Sequence, residues 1–159
     1  VLTTSSSEDD LVGAYGSHAN CFITKPIDLS QFARVARSLE NFWFEIVTLP
    51  PAHDGAGEPS VGAGPTDSGP AKCRVLLIED SPTDALLLEA ALAESNAVKF
   101  EIQRVDRLSI ALDRLRAERF DVVVTDLRLP DSEGVVTLRR VCRAAGDTPV
   151  IVLTTMDDE

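Results

Sequence analysis

The sequence predicts an α/β fold built on a parallel sheet, and three observations carry that expectation. Strand-like and helix-like segments alternate along the chain, the pattern of a sheet wrapped by crossover helices. Several strand segments, such as Val75-Leu76-Leu77-Ile78 and Val122-Val123-Val124-Thr125, are continuously apolar rather than alternating, as expected of strands covered by helices on both faces. The residues that follow these strands are acidic or basic, at the sheet edge where ligands bind in this class.

Each element has a local reason. Ser5-Ser6-Ser7-Glu8 has capping-box spacing and introduces a short helix to about His18. Cys21-Phe22-Ile23-Thr24 reads as a short buried strand closed by Lys25-Pro26. Asp28 is placed to cap a helix whose apolar positions, Leu29, Phe32, Val35, Ala36, Leu39, Phe42, Trp43 and Ile46, recur at three and four residues until Pro50-Pro51 stops it. Residues 51–72 are rich in Pro, Gly, Ala and Ser without apolar periodicity and read as a flexible linker. About 22 linker residues span about 26 Å as a coil, comparable to a domain with a radius of gyration near about 14 Å, so the flanking pieces can close on each other.

In the second piece, Val75 to Ile78 is a strand, and Pro82 opens a Leu-rich helix to about Ser95, tolerated in its first turn. Phe100 to Val105 alternates as a strand. Asp106 is expected to cap a helix carrying Ile110, Ala111 and Leu115. After the strand ending at Thr125 comes a loop, then a helix marked by Val135, Leu138 and Val141, and a last strand, Val150-Ile151-Val152-Leu153.

Composition narrows the function. The 159 residues, 44% apolar, suit one domain plus a linker. A formal charge of −11 disfavours nucleic-acid or anionic-membrane binding, which call for a basic patch. Cys21, Cys73 and Cys142 are too few and too scattered for a disulfide framework or a zinc site and read as reduced thiols. No apolar run spans a bilayer and no signal peptide opens the chain, so a cytoplasmic protein is expected.

Glu79 and Asp80 end one strand, Asp126 another, Thr154 a third and Lys25 a fourth. Carboxylates converging within about 4 Å repel by roughly 4 kcal/mol per pair at an effective dielectric near 20, so a cation is needed among them. Hard oxygen ligands without His or Cys point to Mg²⁺. Such a site can bring an anionic phosphoryl group to Asp126, with the Lys25 ammonium and the Thr154 hydroxyl on its oxygens. Asp131 and Asp157 read as solvated turn residues.

Leu77-Ile78-Glu79-Asp80, Val124-Thr125-Asp126-Leu127-Arg128-Leu129-Pro130 with Gly134, Val152-Leu153-Thr154 and Lys25-Pro26 resemble the signatures of response-regulator receiver domains of two-component signalling. The resemblance implies a flavodoxin-like, doubly wound, five-stranded parallel sheet of order 2-1-3-4-5. It implies that Asp126 accepts phosphate from a histidine kinase or phosphotransfer protein, with Mg²⁺ held by Glu79, Asp80, Asp126 and the Arg128 carbonyl. Lys25 would contact the phosphate before a cis peptide at Pro26, Thr154 would swing toward it, and Phe22 would be the aromatic switch. The Asn20 to Pro26 stretch and Phe42-Trp43-Phe44 look most like phytochrome-associated single-domain regulators. The aromatic triplet could pair two chains, although Trp43 at helical spacing also fits a core.

The resemblance runs in a circularly permuted order, complete only when residues 73–159 are read before residues 1–50. Val1-Leu2-Thr3-Thr4 recurs as Val152-Leu153-Thr154-Thr155, as a cut across two neighbouring receivers or a deliberate permutation would leave it, and with the missing initiator Met it suggests a fragment. The carboxyl-terminal copy is expected to hold the sheet position. Closure within one chain, at an effective concentration around millimolar, is expected in dilute solution, and a domain-swapped dimer when concentrated. Two other functions remain open: a metal-dependent aspartyl phosphohydrolase, disfavoured because Arg128 stands where that class has a second acid, and a chemically inert hybrid of two receivers.

Overall fold

The computed structural model describes residues 21–25, 29–48 and 71–154. The expected helix at residues 5–18, the Asp28 cap, Pro26, His18, His53, Asp157 and the first copy of the Val-Leu-Thr-Thr repeat lie outside the described residues. Strand β1 (Cys21–Thr24) is followed by helix α1 (Leu29–Thr48), then β2 (Ala71–Ile78), α2 (Pro82–Ala93), β3 (Val98–Val105), α3 (Leu108–Ala117) and β4 (Val122–Asp126). A small antiparallel pair, β5 (Arg128–Leu129) and β6 (Ser132–Glu133), leads into α4 (Gly134–Ala145) and β7 (Val150–Thr154).

Five strands form one parallel sheet in the order β1-β7-β4-β2-β3. Counted from β2 through β7 and then to β1, this is the expected order 2-1-3-4-5. The first strand of the chain thus lies beside the last, with Phe22 in register with Val152 and Thr24 with Thr154. Val152, Leu153 and Thr154 of the carboxyl-terminal copy lie in β7, between β4 and β1.

Alternation along each strand divides the core into two layers. Val75 and Leu77 of β2 face one side with Val122, Val124, Ile151 and Leu153, where α1 and α2 cover them through Phe32, Leu39, Leu88 and Leu92. Leu76 and Ile78 face the other side with Val123, Val150 and Val152, beneath Leu108, Leu112, Leu138 and Val141 of α3 and α4. That double coverage explains why the strands read as unbroken apolar runs. Phe32, Val35 and Leu39 of α1 are nearly fully buried, a gross gain of about 5 to 9 kcal/mol at about 1.5–3 kcal/mol per side chain. The amino-terminal piece is therefore packed onto the sheet through its helix as well as through β1.

Several boundaries differ from the sequence expectation. β2 begins at Ala71 because residues 71 and 72 pair with Val98 and Lys99 of β3, which takes two residues from the expected linker. Helix α2 ends at Ala93, and Ser95 turns the chain by accepting the Val98 N–H on its Oγ at 3.1 Å. Asp106 does not cap α3: Arg107 holds the N-cap position without a side-chain bond. Asp131 supplies the acceptors from 23 residues away, Oδ1 from Leu108 N–H at 2.8 Å and Oδ2 from Ser109 N–H at 2.9 Å. Asp131 is the exposed turn residue expected, and it caps α3 in addition. No described helix is long and apolar enough to cross a membrane.

Candidate phosphoacceptor and metal site

All five strands of the sheet run parallel, so their carboxyl ends meet at one edge, and four of them bring charged or hydroxyl residues there. Glu79 and Asp80 follow β2, Asp126 ends β4, Thr154 ends β7 and Lys25 follows β1. One ligand oxygen from each of Glu79, Asp80 and Asp126 lies within 4.8 Å of the others. Glu79 and Asp126 are buried at 1% and 4% exposure, whereas Asp80 is exposed. The expected convergence of these three acids is present.

Lys25 reaches into this cluster from the other piece of the chain. Its Nζ donates to Asp126 Oδ2 at 2.7 Å and to Asp84 Oδ2 at 3.1 Å, and lies 2.8 Å from Glu79 Oε2. The last contact is an ion pair at hydrogen-bonding distance. Burial by itself pushes the Lys25 ammonium down, but the hydrogen bonds and charges of Asp126 and Glu79 outweigh it and hold the group above its ordinary value. Burial pushes the Glu79 carboxyl above its ordinary range, with Lys25 pulling the other way.

Backbone bonds fix the acids. Glu79 Oε1 accepts the Ser81 N–H at 3.0 Å, and the Glu79 N–H donates to Val105 O at 2.9 Å. Asp126 Oδ1 accepts the Arg128 N–H at 3.1 Å. The loop beyond is tied down by Thr137, whose buried hydroxyl meets Ser132 Oγ at 2.8 Å and Leu127 O at 3.4 Å, while Gly134 N–H donates to Leu127 O at 2.8 Å. Gly134 has φ +62, the left-handed region that favours glycine. Thr154 ends β7 opposite Thr24 of β1, and Phe22 lies within β1 opposite Val152.

Sequence reasoning missed two contributors. Asp84 carried a usable signal, since Ser81-Pro82 starts a helix immediately after Glu79-Asp80 and puts residue 84 in its first turn. Arg104 carried none: from β3 its Nε donates to Glu79 O at 3.2 Å and its Nη2 to Asp80 O at 3.3 Å, a contact created only by strand register.

Several known proteins are similar to parts of this chain. Response regulator Rcp1 of Synechocystis sp. is 46% identical over 52 residues, covering 33% of this chain and 35% of Rcp1. Two-component response regulator ARR2 of Arabidopsis thaliana is 31% identical over 113 residues, covering 69% of this chain and 16% of ARR2. The chain thus spans only a minor part of the length of either relative. Among solved structures, the phosphorylated cyanobacterial phytochrome response regulator RcpA is 30% identical, with a TM-score of 0.49 over 55% of this chain and 69% of that one. The response regulator receiver domain profile matches residues 75–159, more than half of the chain. With the acids of β2 and β4 inside that match, the chain belongs to the response regulator receiver domain family.

Proposed function

We propose that this chain is a phosphoacceptor switch of a two-component phosphorelay, in which Asp126 receives a phosphoryl group from a histidine kinase or phosphotransfer protein. The observation that carries this reading is the 2.7 Å contact between Lys25 Nζ and Asp126 Oδ2, made across 101 residues of sequence in a chain of the receiver family. Glu79, Asp80, Asp126 and the Arg128 backbone carbonyl would hold Mg²⁺. The donor set fits such an ion: three clustered hard carboxylates, each with one oxygen within 4.8 Å of the others. When bound, Mg²⁺ supplies the charge screening that lets an anionic phosphoryl group approach an anionic carboxylate.

The chain's own residues do the rest. The Arg128 N–H and the Lys25 ammonium orient the Asp126 carboxylate, one on each oxygen. Lys25 would neutralise a phosphoryl oxygen, and Thr154 would donate its hydroxyl to another. Thr154 and Phe22 then act as the switch. The module turns over no external metabolite and works in the cytoplasm.

The order of the pieces is that of a circular permutation. The piece from Ala71 onward supplies the first four strands, the residues between 50 and 71 the connection, and residues 1–50 the fifth strand and last helix, together one receiver. The position of β1 beside β7 supports this, as does Lys25 meeting Asp126 within one chain, which favours a closed monomer. A swapped dimer, or one paired through Phe42, Trp43 and Phe44, is the alternative at high concentration.

Incubation with acetyl phosphate and Mg²⁺, followed by intact mass measurement, tests the reading. A gain of one phosphoryl group, lost in Asp126→Asn, is expected. No gain in the parent chain would overturn it in favour of the inert hybrid. Sedimentation at micromolar concentration tests closure, which an obligate dimer would contradict.

A further inference from the structure

The phosphoacceptor reading assigns nothing to Asp84, yet its carboxylate accepts one of the hydrogen bonds of a nearly buried lysine. The Lys25 side chain is 7% exposed, and an ammonium has three hydrogens to give. Hydrogen bonds run from it to Asp126 and Asp84, and Glu79 Oε2 faces it in an ion pair at 2.8 Å. Asp84 thus shares the ammonium with Asp126 and Glu79, reaching it from the α2 side. The side chain has no part in starting α2, because it is the Asp84 backbone N–H that donates to Ser81 Oγ, at 3.3 Å.

We propose that Asp84 is a positioning residue for the phosphotransfer site. It competes with Glu79 for the Lys25 ammonium, so that the Glu79 oxygen keeps more of its charge to offer a divalent cation, and it competes with incoming phosphoryl oxygens for the ammonium's hydrogens. The kinetic half of this inference rests on the phosphoacceptor reading; the cation-binding half does not. In transfer from acetyl phosphate, an Asp126 carboxylate oxygen forms a bond to phosphorus, the bond from phosphorus to the acetyl oxygen breaks, and acetate leaves with that electron pair. The transferred oxygens then need the ammonium hydrogen that Asp84 holds. Removing the Asp84 charge therefore weakens cation binding and speeds transfer once cation is saturating, two effects of opposite sense that simple damage to the fold would not produce.

The test uses the full chain with Asp84→Asn and Asp84→Glu. Mn²⁺ binding is measured without phosphodonor, by electron paramagnetic resonance of the free ion. Phosphorylation by acetyl phosphate is then followed at saturating Mg²⁺. Asp84→Asn should weaken Mn²⁺ binding by about five- to tenfold, the scale of one unit charge acting on a divalent ion through water-like screening. It should raise the saturated phosphorylation rate by about threefold or more, the scale of one net hydrogen bond. Asp84→Glu should restore Mn²⁺ affinity toward the parent value. Unchanged Mn²⁺ affinity in Asp84→Asn, or weaker binding together with a lower saturated rate, would overturn the proposal. If the parent chain takes up no phosphoryl group, the phosphoacceptor reading falls, while the Mn²⁺ measurements still decide the role of Asp84.

Discussion

Replacing Lys25 by Met keeps most of the side chain's volume and removes the ammonium from between Glu79 and Asp126. Both carboxylates are almost fully buried, and each lies within 2.8 Å of Nζ in the parent. Breaking a buried pair by removing one partner costs about 3–5 kcal/mol, a large share of the roughly 5–15 kcal/mol that holds a domain together. Protonation offers partial relief. Burial already sets the folded Glu79 carboxyl above its ordinary value of 4.5, and without Lys25 the displacement grows. The folded variant then binds more protons than the unfolded chain between the ordinary and the raised value, so its stability rises as pH falls through that window. The deficit relative to the parent should accordingly shrink on acidification. Urea unfolding followed by circular dichroism, in EDTA at about pH 7.5 and about pH 5, measures both quantities. A loss below about 1 kcal/mol at neutral pH, or a deficit that widens on acidification, would refute the reasoning.

Other perturbations test the surroundings of the site. Thr137→Val should cost about 1 kcal/mol in urea unfolding, because its hydroxyl bonds are lost while Gly134 still satisfies Leu127 O. Asp131→Ala should cost about 1 kcal/mol at neutral pH as a lost cap. The Asp131 carboxyl is held below its ordinary range: desolvation opposes the shift, and the Ser109 and Leu108 N–H groups prevail. Its contribution is therefore present above the ordinary carboxylate value and fades as pH falls through the folded one, so variant and parent should converge in acid. Burial, with the Asp121 charge, pushes the Cys73 thiol up to about 12. Iodoacetamide at about pH 8 should leave Cys73 unmodified in the native protein and alkylate it after denaturation, as read by peptide mapping; native alkylation would contradict the buried-thiol reading.

Much of the fold was legible because burial on both faces leaves a linear mark. Val75 to Ile78, Val122 to Thr125 and Val150 to Leu153 read as unbroken apolar runs, and each is a sheet strand with helices above and below. Glu79, Asp80 and Asp126 were legible for a related reason, since charge placed directly after such a run must fall at the sheet's carboxyl edge. The β5–β6 pair was not legible, being two residues on each side, too short for any period. Nor was the capping of α3 by Asp131, where local spacing favoured Asp106: the acid that fills the cap comes from a loop brought near by the sheet.

By itself, then, the sequence determined the alternation of elements, the apolar strands and the residue types gathered at their ends, all properties of neighbouring residues. Only the tertiary structure decided that β1 lies against β7, that Lys25 sits between Glu79, Asp84 and Asp126, and that Arg104 holds the carbonyls of the acidic pair. These are distances between groups far apart in the chain. They follow from strand register and helix packing summed over the whole core, which no local pattern of residues encodes.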